Sequence, residues 1–289
     1  MKKNFSSSKD TSYPWIESPF FKKILKKKKL TNYYTNLAKK FNKDGYIIID
    51  LKLEDSFINR IEKDINRNLK IGKIKKNPSI YHYNESPRIV EAWKFSKNIA
   101  KLALNRKIID LLNILYDKKA LAFSTLNFIR GTEQPLHSDY MHFSSIPERY
   151  LVGAWVALEK TNKLNGPLAV VPGSHKFPIV DFNTLNCKKP DSIQSLEKCY
   201  RIYEEYVRNM VKITKSKVKP IYLKKGQAII WAANLLHGGT KHIKKNMTRK
   251  SQVIHYHFKG CLKYYNPGFS IPSNGDYAIR KLNLVKLDN

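Results

Sequence analysis

His137-Ser138-Asp139 places an imidazole and a carboxylate two residues apart. On a strand, residues i and i+2 share a face, so both side chains can meet one metal ion. Two imidazoles and one carboxylate on one face of an ion are the donor set of mononuclear Fe(II) oxygenases, whose other face stays open for a cosubstrate and dioxygen. The second imidazole must come from elsewhere, and His237 is the best placed. It follows the apolar run Ala228-Ile229-Ile230-Trp231-Ala232 and precedes Gly238-Gly239, where backbone can approach an ion closely. Arg249 opens the next strand-like run, Ser251-Gln252-Val253-Ile254-His255-Tyr256. A buried guanidinium beside a metal suits a dicarboxylate, held as a bidentate pair. Taken singly, His-x-Asp is a common surface pair, His237 reads as a turn histidine and Arg249 as a surface charge.

The elements that must position these residues change character along the chain. Residues 1–32 are basic and Ser-rich and are expected to be mobile, with the run Lys22-Lys23-Ile24-Leu25-Lys26-Lys27-Lys28-Lys29 read as a solvated face. Helical spacing predicts helices over 33–44, stopped by Gly45, over 55–69 (Ile58, Ile61, Ile65, Leu69) and over 97–117. Tyr46-Ile47-Ile48-Ile49-Asp50 reads as a buried strand. From about 121 short strands follow at 121–130, 150–158, 168–171, 218–223, 227–233 and 251–258, with turns at Asn165-Gly166-Pro167, Pro172-Gly173-Ser174 and Lys224-Lys225-Gly226. Many short strands with Gly/Pro punctuation indicate a sandwich or barrel. A helix within the insert 183–219, carrying Ile193, Leu196, Tyr200, Tyr203, Val207 and Met210, interrupts them and is expected to cover the pocket. The fold expected is mainly β with flanking helices: one domain over 33–289, helical over 33–120, with a β core over 121–260.

With 289 residues, 42% apolar, the chain can build a core without disulfides, and its three cysteines are too scattered for a disulfide or zinc framework. No apolar run is long enough for a membrane span, and no apolar stretch follows the basic Met1-Lys2-Lys3, so a cytoplasmic setting is the expectation. The net charge of +31 raises nucleic-acid binding. Only 10 of the 54 basic residues are Arg, however, and the lysines spread over the whole chain. Phosphate and base recognition favours the planar guanidinium. The charge therefore reads as compositional, with an anionic small substrate, such as a phosphate or a coenzyme A thioester, the alternative.

In order and context these residues resemble the phytanoyl-CoA dioxygenase family, including the ectoine hydroxylases, which are Fe(II)- and 2-oxoglutarate-dependent oxygenases on a double-stranded β-helix. The likeness covers about residues 121–258. It is carried by Gln134-Pro135-Leu136-His137-Ser138-Asp139, by Leu164-Asn165-Gly166-Pro167 through Pro172-Gly173-Ser174-His175-Lys176, and by Leu236-His237-Gly238-Gly239. It implies that His137, Asp139 and His237 bind Fe(II) and that Arg249 holds the far carboxylate of 2-oxoglutarate. It also implies that Asn127 contacts the cosubstrate and that Trp155 lines the site. Ser251 is a further candidate for the cosubstrate, and Gln134, Tyr140, His142 and Phe143 for the substrate. It implies dioxygen as a further cosubstrate and succinate and carbon dioxide as products. Gly239 departs from the Ser common in the family, and the ectoine-binding pattern is absent, so substrate does not carry over. Two alternatives remain: a nucleic-acid-directed oxygenase, whose second Arg six residues after the first is here His255, and a metal-free ligand-binding β-helix. His175 reads as structural, one of His255 and His257 as bordering the pocket, and Cys261 as inert.

Overall fold

In a computed structural model, which describes residues 13–72 and 88–287, six α-helices and eleven strands follow one another along the described residues. The N-terminal part contains α1 (Phe21–Lys27), α2 (Asn32–Asp44), β1 (Tyr46–Asp50), α3 (Asp55–Lys70), β2 (Ile89–Val90), α4 (Lys97–Ala103) and α5 (Arg106–Tyr116). The β-rich part contains β3 (Ala120–Phe128), β4 (Ser144–Ile146), β5 (Leu151–Ala157), β6 (Leu168–Val170), β7 (Lys219–Ile221), β8 (Gln227–Ala232), β9 (His237–Gly239), β10 (Ser251–Phe258) and β11 (Lys263–Tyr265), with α6 (Ile193–Ile213) between β6 and β7.

Strands β1-β8-β5-β10-β3-β2 form an antiparallel sheet in that order, and β7-β6-β9 form a smaller one. Strand pleating sends alternate residues to opposite faces. On one face Ile47, Val152, Ala154, Ile230, Ile254 and Tyr256 pack on the helices. On the other, Trp155, Ile229, Trp231 and Val253 meet Leu168, Val170 and Ile221 of the small sheet. The result is a double-stranded β-helix with helices on its outer face.

Local chemistry sets the element ends. Thr31 caps α2 by accepting from Tyr34 N–H, and Gly45 ends it at φ +78°. A side chain at Gly45 is also excluded, because its Cβ would lie 2.4 Å from His175 Nδ1. The helix expected over 97–117 is broken in two, because the Asn105 side chain accepts from Lys107 N–H and starts α5 afresh. β2, β4, β9 and β11 are two or three residues each, too short to show a period.

The expectation of a mobile segment over 1–32 is corrected for its described part. Trp15 and Ile16 are fully buried, Trp15 Nε1–H donates to Ile114 O at 3.2 Å, and Glu17 pairs with Arg149 at 3.0 Å. Apolar side chains make the clamp: each fully buried one contributes about 1.5–3 kcal/mol. Residues 1–12 lie outside the described residues. Among the described residues no helix is long and apolar enough to cross a membrane.

Candidate active site

The metal motif does not lie on a strand. His137 makes a lone bridge with His237, each backbone N–H donating to the other's carbonyl at 2.9 Å, and Asp139 begins a one-turn 3-10 helix. This bridge, rather than strand alternation, faces the two imidazoles toward one another, with ring centroids 4.5 Å apart. The two glycines after His237 serve it. A Cβ on Gly238 would lie 2.7 Å from Gln134 O, and one on Gly239 would lie 3.0 Å from Glu133 N. They admit the neighbouring chain segment, not an ion as the sequence reading had it.

One ligand atom each from His137, Asp139 and His237 lies within 4.8 Å of the others. His137 Nδ1 lies 2.8 Å from Pro135 O and His237 Nδ1 lies 2.9 Å from Leu235 O. A carbonyl can only accept, so both Nδ1 atoms carry the proton and both Nε2 lone pairs are left for a cation. Asp139 Oδ1 lies 3.6 Å from His237 Nε2, while Oδ2 accepts from Trp231 Nε1–H at 2.7 Å and stands 3.6 Å from His255 Nε2. Burial opposes the Asp139 charge, but the imidazoles of His237, His255 and His137 outweigh it and hold the carboxyl below the usual carboxylate range. Burial, reinforced by His237, pushes the His137 pKa well down, so its ring is a neutral donor. This arrangement suits a divalent ion with an open face.

Behind the motif, Tyr203 of α6 accepts from Ser138 N–H at 2.9 Å, and Ser138 Oγ bonds Ala233 O at 3.0 Å. α6 buries Leu196, Cys199, Tyr203 and Val207 against Met141, Val171 and Leu236. None of residues 183–219 lines the cavity, so the insert braces the metal loop and is not the expected cover. Ile193, read as part of its apolar face, is exposed.

The triad opens into a cavity of about 460 Å3, within the ordinary range for small-molecule sites. Arg249 enters it with only 3% of its surface exposed. Its Nη1–H donates to Gly166 O at 2.8 Å, its Nε–H has no partner, and its guanidinium stands 5.3 Å over the Trp155 ring. It lies in no ion pair with a described residue. Burial draws its pKa down to about 10, which leaves it charged at neutral pH. Gly131 makes room for it: a Cβ there would lie 2.8 Å from Arg249 Cζ. A buried cation with spare donors is unfavourable unless an anion joins it, and a carboxylate fits.

Trp155, Gln134, His142 and Phe143 line the cavity. Arg88 donates to Gln134 Oε1 at 2.8 Å, and the Tyr200 hydroxyl and His142 Nδ1 are 2.8 Å apart. Ser251 is fully buried on the cavity side of β10, its hydroxyl without a partner. Three expected residues do not line the cavity: Ser251, Asn127 and Tyr140. Asn127 projects to the helical side of β3, where its Nδ2–H donates to Gln252 Oε1 at 3.3 Å; its neighbours Leu126 and Phe128 take the cavity face. Tyr140 turns toward β11, its hydroxyl 3.2 Å from that of Tyr265. His255 borders the cavity, while His257 stacks on Phe123 at 4.4 Å. His175 is structural, its Nε2 3.1 Å from Asn42 O. Sequence reading missed Trp231, which a tryptophan in an apolar strand before the distal histidine gave no reason to single out. It also missed the segment Arg280-Lys281-Leu282-Asn283, which lines the cavity.

The phytanoyl-CoA dioxygenase (PhyH) family pattern matches residues 41–250. The chain belongs to that family. It is 24% identical over 197 residues to a probable phytanoyl-CoA dioxygenase of Caenorhabditis elegans, covering 68% of this chain and 56% of the relative. It is 26% identical over 132 residues to the peroxisomal phytanoyl-CoA dioxygenase of Rattus norvegicus, 46% of this chain and 36% of that protein. The match thus spans about half or less of these family members. The crystal structure of EctD from S. alaskensis with 2-oxoglutarate and 5-hydroxyectoine superposes with a TM-score of 0.63 at 19% identity, covering 88% of this chain and 84% of that one. The non-heme alpha ketoglutarate dependent carbocyclase SnoK from nogalamycin biosynthesis gives 0.63 at 12% identity, with 89% and 97% covered. At these identities the likeness concerns the fold.

Proposed function

We propose that this chain is an Fe(II)- and 2-oxoglutarate-dependent dioxygenase that hydroxylates a small molecule and releases succinate and carbon dioxide. One observation carries the reading: a two-histidine, one-aspartate donor set shares a cavity with a buried guanidinium that has no carboxylate partner among the described residues. The chain's family membership supports it. Iron(II) bound there would supply the activation of dioxygen that couples decarboxylation of 2-oxoglutarate to oxidation of a substrate C–H bond. His137 and His237 present Nε2, Asp139 presents Oδ1, and Trp231 holds Oδ2 away. Arg249, set by Gly131, Gly166 and Trp155, takes the distal carboxylate of 2-oxoglutarate, and Ser251 offers it a hydroxyl. His142, Phe143 and Gln134 face the substrate, which we take to be anionic. A cytoplasmic location and a single oxygenase domain, which takes in the buried segment around Trp15, complete the proposal.

Anaerobic titration of the purified protein with Fe(II) and then 2-oxoglutarate, followed by an oxygen pulse and succinate measurement, tests it. Saturable binding of both and succinate formation are expected. Binding of 2-oxoglutarate without any succinate would instead make the chain a ligand-binding β-helix, and stimulation by oligonucleotides alone would point to a nucleic-acid substrate.

A further inference from the structure

The segment after β11 forms a cavity wall that the metal and cosubstrate do not use. Val285 N–H donates to Ala122 O at 2.9 Å, which draws the C-terminal stretch along β3, and Leu282 and Leu284 pack with Phe123, Phe143 and Leu151. Arg280 is fixed at its start by backbone N–H donation to Tyr264 O at 2.8 Å. Its guanidinium lies 4.7 Å from the centre of the Phe143 ring and enters no ion pair with a described residue. Phe143 in turn stands 5.0 Å from the His255 ring, and His255 Nε2 stands 3.6 Å from Asp139 Oδ2. Arg280 is therefore two ring contacts from His255, the neighbour of the Asp139 carboxylate.

The charge of the lining is lopsided. Besides Arg249 it contains Arg88, Arg280 and Lys281; besides Asp139 its only carboxylate among the described residues is Glu91, which pairs with Lys94. Between the two ends the lining is apolar, with Phe123, Phe143, Val253 and Leu282. An aromatic face holds a guanidinium in place by its quadrupole and leaves the planar edge free to bond both oxygens of an oxyanion.

We propose that Arg280, laid on Phe143, is a specificity-determining residue that binds a carboxylate or phosphate group of the substrate, so that this chain acts on a small anion with an apolar body. The apolar body lies along Phe143 and Phe123, which brings one of its C–H bonds to the metal side chains. The proposal rests on the oxygenase reading, and it makes the cavity's far wall select by charge and its middle select by apolar fit.

Matched pairs test it: benzoate against benzamide, phenyl phosphate against phenol, decanoate against decanol. Succinate release is measured with the Fe(II)- and 2-oxoglutarate-loaded protein, and melting shifts are measured on the same protein without oxygen. Anionic members are expected to give larger melting shifts and more succinate than their neutral partners, and the carboxylate and phosphate arms identify which oxyanion is preferred. Arg280→Gln should raise the KM for the best anion about tenfold or more, one hydrogen-bonded charge contact, while kcat and the 2-oxoglutarate requirement change little. Arg280→Lys should recover part of the loss. Equal shifts for charged and neutral members, or equal shifts in wild type and Arg280→Gln, overturn the proposal. Absence of succinate with every compound and none from 2-oxoglutarate alone would instead overturn the oxygenase reading, and the melting shifts would still decide the role of Arg280.

Discussion

Replacing Trp231 with Phe isolates one atom of the site. The indole Nε1–H holds Asp139 Oδ2 at 2.7 Å, leaving Oδ1 on the side of His237. Phe fills most of the same space but donates nothing. The Asp139 side chain is 6% exposed, so water replaces the lost donor poorly. A hydrogen bond to a buried charge contributes about 1.5–3 kcal/mol, so Fe(II) affinity should fall roughly 10- to 150-fold. Changes to groups that orient ligands have effects of the same order. Trimming the indole also costs roughly 1–3 kcal/mol of stability by leaving a void beside Tyr46, Trp155 and Ile229. Anaerobic Fe(II) titration of the folded variant separates the two losses, with Ile229→Val as a control that shares the void but not the donor. Gly153→Ala should mimic Trp231→Phe, because its Cβ would lie 2.3 Å from the indole Cε2 and displace the ring. Fe(II) affinity within twofold of wild type in Trp231→Phe would refute the reasoning and leave His255 as the group that orients the carboxylate.

Arg249→Ala should weaken 2-oxoglutarate binding by about 2–5 kcal/mol, roughly 30-fold to several-thousand-fold, with Fe(II) affinity little changed; titration calorimetry of the two ligands checks this. Arg249→Lys should recover only part, since an ammonium cannot bond both oxygens, and Gly131→Ala should move in the same direction by crowding Cζ. His175 has its pKa lowered by burial from 6.5 to about 4. The unfolded chain therefore takes up this proton first as pH falls, and its stability contribution is full above about pH 6.5 and drains toward pH 4 by roughly 3 kcal/mol. Denaturant melts should show a shallower acid loss in His175→Gln than in wild type; parallel curves would exclude His175 as a source. If the +31 charge is compositional, binding to duplex DNA should weaken steeply with salt and vanish by about 0.15 M. Sub-micromolar binding at that salt with a sequence preference would reverse this view.

The strand pattern and the positions of the chemistry-bearing residues were legible in the chain itself, because both depend on spacing along it. Apolar runs between Gly and Pro turns bound β5, β8 and β10 to within a residue or two, since a strand buried on both faces reads as a continuous run. Gly45 marked the end of α2 by its own backbone chemistry. His137, Asp139, His237 and Arg249 stood out as the types a metal and a dicarboxylate require. What spacing does not encode is which face a strand residue takes and which distant segment comes to meet it. Asn127 and Tyr140 were assigned to the cavity by position along the chain, yet the pleat sends one toward Gln252 and a 3-10 turn sends the other toward Tyr265. The His137–His237 bridge joins residues a hundred positions apart, so only the folded chain shows that it, rather than strand alternation, faces the two imidazoles. Trp231 on Asp139, and Arg280 on the cavity wall, are likewise products of long-range packing. The sequence determined which groups are present, whereas the tertiary structure alone decided which of them share a cavity, because side-chain direction depends on register between strands and not on order along one.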